Sequence, residues 1–305
     1  MNKIGVIILN WKQSKLTIQT INSFLKIKTK NFAYHLYLVN NNSPDESYKI
    51  LKRKYKNNQF ISIINSGSNL GYAGGNNFGI KIALKNNCDY ILIANNDLLF
   101  DQDFLVNLYQ ELNHPKIGLV GPKIYFAKGH EFHKNRYQSS ELGKIIWSAG
   151  GQMDWNNILG SNIGVDEYDQ GQYDKSNDKI DFISGACFLV KSGTLRQVGL
   201  FEEKYFMYLE DVDLCQRIIQ DGFHLKYVPN SIIWHINAGS SSSGSHLHDY
   251  FITRNRLIFG FKYATLKTKL ALIKESIRFI FNKNKWKRIG AIDFYLNKLN
   301  KGSWK

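Results

Sequence analysis

The feature that most limits what this chain can become is a repeat of short apolar runs, each followed by a segment with helical periodicity. Ile4-Gly-Val-Ile-Ile-Leu9 is nearly all apolar, as in a strand buried on both faces of a parallel sheet. Residues 14–27 follow, with Ile21, Phe24, Leu25 and Lys28 on a helical spacing and Ser14 placed to cap the start. Leu36–Val39 repeats the strand pattern, and Asn40-Asn-Asn-Ser-Pro-Asp45 is turn chemistry, with Ser43 or Asp45 able to cap a helix over 46–56. Ile61–Ile64 and a helix ending near Lys85 make a third unit. Tyr90–Ala94 and a helix over 102–112, capped by Asp101, make a fourth, and Ile117–Val120 supplies a fifth strand. Such alternation with short connections predicts a parallel α/β sheet, whose ligands sit outside the carboxyl ends of the strands. Three of those ends read Asn10-Trp11, Asn40-Asn41 and Asn95-Asn96-Asp97, all polar and all on one edge.

The loop after the third strand carries Gly67, Gly71, Gly74 and Gly75 but spells neither G-x-G-x-x-G nor a P-loop. Its glycines still leave backbone N–H groups open to an anion at the start of the next helix. Residues 127–180 read as a long, partly mobile excursion with one strand at Ile145–Ala149. Strand character returns at Ile180–Val190, where Gly185-Ala186 permits a close approach to the backbone. Leu225–Val228 and Ser231–His235 read as a strand pair split by Pro229-Asn230, before a serine-glycine tract at Gly239–Ser245.

Tyr205-Phe-Met-Tyr-Leu-Glu-Asp-Val-Asp-Leu-Cys-Gln-Arg217 places three carboxylates in four positions at the start of a helix. Leu214 and Ile218 share a face, and Asp213 is four residues from Arg217, which gives it a structural partner. Glu210 and Asp211 follow the apolar Phe206–Leu209. Apolar walls and a like-charged neighbour raise a carboxyl pKa, which is one way to make a general base; acids at a helix start also simply oppose the helix dipole.

With 305 residues, 43% of them hydrophobic, the chain can bury one large core or two coupled ones. No apolar run reaches the length of a membrane span, and the first residues, Met-Asn-Lys-Ile-Gly, show no secretory leader. Cys88, Cys187 and Cys215 share no metal-ligand spacing and read as small core residues of a reduced, cytosolic protein. Residues 250–305 hold 14 Lys+Arg against Glu275 and Asp293, a net of +12 out of +15 for the whole chain. The positive charge belongs to the C-terminal end.

Nine segments, in order, resemble the family 2 glycosyltransferases, which have the GT-A fold, and within them the bacterial rhamnosyltransferase-like branch. They are Ile7–Trp11, Val39–Ser43, Asn69–Asn77, Ala94–Asp97, Ser184–Ala186, Gly199–Phe201, Tyr208–Leu214, Trp234-His235, and Tyr250 through Arg254-Asn255. Ile289–Phe294 and Lys301-Gly302 are similar to the end of that branch. The resemblance implies a GT-A domain, Rossmann-like with a mostly parallel sheet and flanking helices. Residues 1–125 would form its nucleotide-sugar-binding half and 126–248 its acceptor-binding and catalytic half. Residues 249–305 would add a basic amphipathic helical tail.

It further implies an inverting, metal-dependent hexosyl transfer from a nucleotide-diphosphate sugar, with rhamnose the sugar the branch suggests. Asp97 is similar to the last acid of the family's D-x-D element, and His235 to the second protein ligand of Mg²⁺ or Mn²⁺. Asp211 would be the base and Glu210 would position the acceptor or tune Asp211. Leu9 and Trp11 would meet the nucleobase. Asn40 stands where the family usually has Asp, which keeps a pyrimidine plausible and leaves uridine against thymidine open. Asn95 replaces the first acid of D-x-D, and Asn69, Asn76 and Asn96 complete the donor-binding set.

The expected acceptor is a lipid-linked saccharide or growing surface polysaccharide. The expected place is the inner face of a bacterial cell membrane, held peripherally by residues 250–305 on anionic lipid; a solvated face packed on the fold is the other reading of that tail. A catalytically inactive GT-A protein that binds sugar nucleotide or glycan is the alternative function, resting on Asn40 and Asn95. Nucleic-acid binding is not expected, because no binding motif accompanies the basic tail. A nucleotidyltransferase would want more acids or a basic glycine-rich loop near the start than Asn10-Trp-Lys-Gln13 supplies.

Overall fold

The structure, a computed structural model, describes residues 1–175, 180–236, 244–281 and 283–304. The strands are β1 (Asn2–Asn10), β2 (Phe32–Asn40), β3 (Ile61–Asn65), β4 (Tyr90–Ala94), β5 (Leu98–Phe100), β6 (Ile117–Phe126), β7 (Ile146–Ser148), β8 (Gly151–Asp154), β9 (Leu159–Asn162), β10 (Cys187–Lys191) and β11 (His224–His235). The helices are α1 (Ser14–Phe24), α2 (Ser47–Tyr55), α3 (Gly71–Lys85), α4 (Phe104–Leu112), α5 (Ser192–Val198), α6 (Glu210–Gln220), α7 (His246–Tyr263), α8 (Leu266–Ile280) and α9 (Lys285–Tyr295).

The main sheet runs β3-β2-β1-β4-β10-β6-β11-β5, with β7 on the edge of β6, and β8–β9 form a separate hairpin. The pairs β1–β2, β1–β4, β2–β3 and β6–β11 are parallel. Side chains alternate between two cores: Ile7 and Ile93 face one, Val6, Ile8 and Leu92 the other. That double burial is why the first four strands read as nearly continuous apolar runs. Cys88, Cys187 and Cys215 are all buried thiols in these cores.

Several local expectations differ from the structure. Ser14 does not cap α1: Lys12 and Gln13 take left-handed conformations that carry Ser14 inward as a helical residue. Asp101 accepts from the N–H of Asp103, and α4 starts later, at Phe104. Ser43 accepts from Asn10 and Lys12 and so ties strand ends together, while Asp45 bonds the first N–H of α2. The expected pair around Pro229-Asn230 is one strand, β11. Both halves run along β6, and the register jumps between Val228 and Ile232, a bulge that accommodates a proline lacking its N–H.

β10 is antiparallel to both β4 and β6, an inversion inside an otherwise parallel run. The excursion after β6 is anchored. Lys123, 2% exposed, donates to Asp169 at 2.8 Å and to Asp174 at 2.5 Å, and Tyr125 also donates to Asp169. Most of the serine-glycine tract at 239–245 lies outside the described residues.

Candidate active site

The carboxyl ends of β1–β4 are joined by a run of amide side chains. Asn96 donates to Thr17 (2.9 Å), Thr17 to Asn10 (2.8 Å), Asn10 to Asn40 (3.1 Å) and Asn40 to Asn65 (3.0 Å). Head-to-tail bonding of this kind fixes four strand ends against one another and leaves each partner satisfied. Asn40 is 1% exposed and bonded through both its oxygen and its nitrogen, so its visible work is to hold Asn10 and Asn65. Beside it Trp11 is 44% exposed, its ring covered by the Lys12 ammonium at 4.4 Å, and Leu9 packs on Gly75 of α3.

Asn69 shapes the glycine loop. Its oxygen accepts from the side chain of Asn41 and the N–H of Gly71, while Asn41 accepts from Leu70 and donates to Gly71. Gly71 has φ +70, and a Cβ there would meet the carbonyl oxygen of Phe206 at 2.5 Å, so glycine is required on two counts. Asn76 is buried in α3, donates back to Tyr72, and keeps an unpartnered Oδ1.

Asp97 and His235 meet although 138 positions separate them. β5 leaves Asp97 at its start and pairs antiparallel with β11, setting His235 opposite Leu98, and the N–H of Ile236 donates to the Asp97 carbonyl. His235 Nε2 lies 3.3 Å from Asp97 Oδ1 without hydrogen-bond geometry, and that oxygen and His235 Nδ1 have no hydrogen-bond partner although both are buried. Two ligands at right angles on a cation about 2.1 Å from each lie about 3 Å apart, so the pair fits a shared divalent ion. No group of three or more His, Cys, Asp or Glu side chains suited to a metal occurs among the described residues. Any such ion would take its remaining ligands from substrate and water. Trp147 stacks obliquely on His235, with 4.7 Å between ring centroids.

The carboxylates of α6 stand across from this pair. Phe206, Tyr208 and Leu209 all have positive φ, a strained approach that aims Glu210 and Asp211 out of the first turn. Asp211 accepts from the N–H of Gly185 at 2.7 Å and of Val212 at 2.8 Å. Burial pushes its carboxyl up, and those N–H groups pull it partly back. Glu210 is 5% exposed with Oε2 unpartnered; burial first, then the charge of Asp211, push it well above the usual carboxylate range. Both carboxyls are therefore raised, Asp211 with two backbone N–H groups opposing the shift.

Tyr72 was not visible as a site residue in the sequence. Its hydroxyl donates to the Gly185 carbonyl, and burial together with the charges of Glu210, Asp211 and Asp97 holds its phenol well above its ordinary pKa. The charges of Asp97, Glu210 and Asp211 all reach it, so it marks where these carboxylates converge. A Cβ on Gly185 would meet Tyr72 Oη at 3.0 Å and Asp211 Cβ at 3.2 Å. The N–H of Asn95 donates to the Ala186 carbonyl, joining the end of β4 to the same turn. A cleft of about 340 Å³ opens along Ser184 and Tyr208–Val212, walled by the β8–β9 hairpin and by His248, Ile252 and Arg256 of α7. A larger depression of about 550 Å³ involves only the surface turn 132–136 and none of these residues.

This arrangement is that of a GT-A fold, a nucleotide-sugar transferase architecture. A mannosyltransferase from Pyrobaculum calidifontis, whose structure holds GDP-Man and Mn²⁺, superposes with a TM-score of 0.57 at 14% identity, over 96% of this chain and 74% of that one. The family model for Glycosyl transferase family 2 matches residues 5–198, and the chain belongs to that family. Its relatives include rhamnosyltransferases. N-acetylglucosaminyl-diphospho-decaprenol L-rhamnosyltransferase of Mycobacterium tuberculosis is 29% identical over 223 residues, 69% of each chain. Rhamnosyltransferase WbbL of Escherichia coli is 25% identical over 206 residues, 63% of this chain and 74% of that one.

Proposed function

We propose that the chain transfers a sugar, with inversion, from a nucleotide-diphosphate donor to a hydroxyl of a lipid-linked or growing surface glycan. The observation that carries this is Asp211: a carboxyl raised by burial and aimed by two backbone N–H groups, at the wall of the cleft along Ser184 and Tyr208–Val212. Asp211 takes the proton of the acceptor hydroxyl as its oxygen bonds to the anomeric carbon. The bond from that carbon to the diphosphate breaks in the same step, and the nucleoside diphosphate leaves. One base is enough for a single displacement, unlike the paired carboxylates of a glycosidase. Glu210, buried beside Asp211 and raised by that burial, would position the acceptor or tune Asp211.

Asp97 and His235 would hold Mg²⁺ or Mn²⁺, which neutralises charge building on the leaving diphosphate. Trp11 and the backbone of Leu9 would meet the nucleobase, at an edge whose shape Asn40, Asn95 and Asn96 maintain. Asn69 and Asn76 would shape the loop over the donor. The Mycobacterium tuberculosis relative supports rhamnose as the sugar and a polyprenyl-diphosphate saccharide as the acceptor, and the Mn²⁺ in the mannosyltransferase structure supports a divalent cation. A lipid-linked acceptor would be met peripherally at the inner face of the membrane, with the basic residues 250–305 toward anionic lipid.

The test is a donor panel (dTDP-rhamnose, UDP-galactose, UDP-GlcNAc, UDP-glucose, GDP-mannose) with Mg²⁺ or Mn²⁺, with and without a lipid-linked saccharide extract. Nucleoside diphosphate release from one donor, dependent on extract and abolished by EDTA, is expected. Absence of release from every donor in every condition would favour a protein that binds sugar nucleotide without turning it over.

A further inference from the structure

α8 has two unlike faces. Thr268, Leu272 and Ser276 are buried; Leu272 packs on Gly260 of α7, and Ser276 shares a hydrogen bond with Tyr295 of α9. The opposite side holds Leu266, 74% exposed, Leu270, 60%, Ile277, 47%, and, just past the helix end, Phe281, 83%. At 3.6 residues per turn these four positions fall within about 60° of arc, a continuous apolar stripe along the helix. Lys267, Lys274 and Arg278 stand beside it, all exposed, and Lys283 and Lys285 continue the charge past its end. No other described segment gathers four large exposed apolar side chains on one line. An isolated exposed leucine needs no explanation, but a stripe of four edged with cations does.

We infer that α8 is an in-plane membrane-docking helix, its apolar stripe entering the headgroup boundary of an anionic bilayer and its lysines and arginine meeting lipid phosphates. The chemistry fits that occupant on both counts, apolar side chains at the water boundary and cations only on the flanks. The helix cannot insert further, since no described helix is long and apolar enough to cross a membrane. α8 is also tied to the cleft by an ion pair. Arg256, which lines the cleft near Asp211, pairs with Glu275 on the inner side of α8 at 3.1 Å. Docking through α8 would therefore hold the cleft next to the lipid surface. That consequence rests on the transfer reading; the docking itself does not.

The experiment is co-sedimentation of the full chain with vesicles of phosphatidylcholine plus phosphatidylglycerol, against phosphatidylcholine alone. Four proteins are compared. They are wild type, a stripe variant (Leu266→Ser, Leu270→Ser, Ile277→Ser, Phe281→Ser), a flank variant (Lys267→Glu, Lys274→Glu, Arg278→Glu), and a control with the same charge change on α2 (Lys52→Glu, Arg53→Glu, Lys54→Glu). Because every substituted side chain is exposed, circular dichroism and thermal midpoints are expected to match wild type. Binding to anionic vesicles is expected in wild type and control, reduced at least tenfold in the stripe and flank variants; each cation near such a surface is worth about fivefold in partitioning. Equal loss in control and flank variants would reduce the effect to net charge and overturn the inference. Wild type that ignores vesicles would overturn it too, and so would a stripe-dependent dimer, seen by light scattering, that does not bind lipid. None of these outcomes depends on turnover, so the docking and transfer readings fail separately.

Discussion

Three carboxylates within four positions meet three different fates, each set by what the fold places around them. Asp213 is fully buried, yet Lys262 and Arg217 approach it at 2.8 Å and the hydroxyls of Tyr205 and Tyr263 donate to it. Burial alone would raise its pKa; the two cations outweigh burial and hold it below the usual value. A carboxyl depressed in the folded state stabilises the fold above its unfolded pKa, and that contribution is lost as pH falls through the folded value. Asp213→Ala, which strands two cations, is expected to cost about 3–5 kcal/mol in urea unfolding at neutral pH and to flatten the acid limb of stability. Asp211 is shifted the other way. The acid limb of kcat/KM for transfer is therefore expected to fall at a pH above that of an ordinary aspartate, as a pH–rate profile would read directly. The Asp213–Arg217 pair was legible from its i, i+4 spacing alone. Tyr72 was not, because its place against Gly185 depends on contacts between segments 113 positions apart.

At the scale of elements, the approach to α6 is the least self-sufficient part of the site. Left-handed Phe206, Tyr208 and Leu209 are held from outside: Asn255 Nδ2 lies within 3.0 Å of the carbonyls of Tyr205, Met207 and Tyr208. Asn255→Ala removes the one side-chain amide that ties the carbonyls of Tyr205, Met207 and Tyr208 together, with Arg254 still donating to Tyr205. The expected result is a loss on the order of 3 kcal/mol and a fall in turnover that persists at temperatures where the variant is fully folded. Gly71→Ala presses on the same turn from the other side and is expected to lower the thermal midpoint. The first four strands were legible because burial on both faces leaves an apolar run. β5 escaped notice, being three residues long and directly behind Asn95-Asn96-Asp97. The antiparallel insertion of β10 left no local trace either, since apolar runs are the same in both directions. Pro229 was misleading: it marks a bulge in one strand and looks like the turn between two.

Across the whole molecule, the C-terminal helices are built into the fold. Arg254 is fully buried and donates to the carbonyls of Lys204 and Tyr205 on one side and of Lys298 and Asn300 on the other. Asp293 takes hydrogen bonds from Tyr250 and Ser303 and closes the end of the chain over α7. A chain ending at residue 248 would lose Arg254 and Asn255 together and uncover Phe206, which stacks on Phe251. It is expected to elute as aggregate in size-exclusion chromatography where the full chain is a discrete species. Composition had located the charge of this region correctly, but its anchoring lies in two side chains that look, in sequence, like any other polar pair on a helix.

The most direct test of the site separates binding from chemistry in Asp211→Asn. Titration calorimetry with the nucleoside diphosphate and Mn²⁺ would be run beside single-turnover transfer to acceptor. The expected result is unchanged nucleotide affinity with transfer slowed by roughly 10²–10⁴-fold, the loss typical of a missing general base. Transfer at the wild-type rate in the variant would remove Asp211 from the chemistry, and the reading of the α6 carboxylates with it.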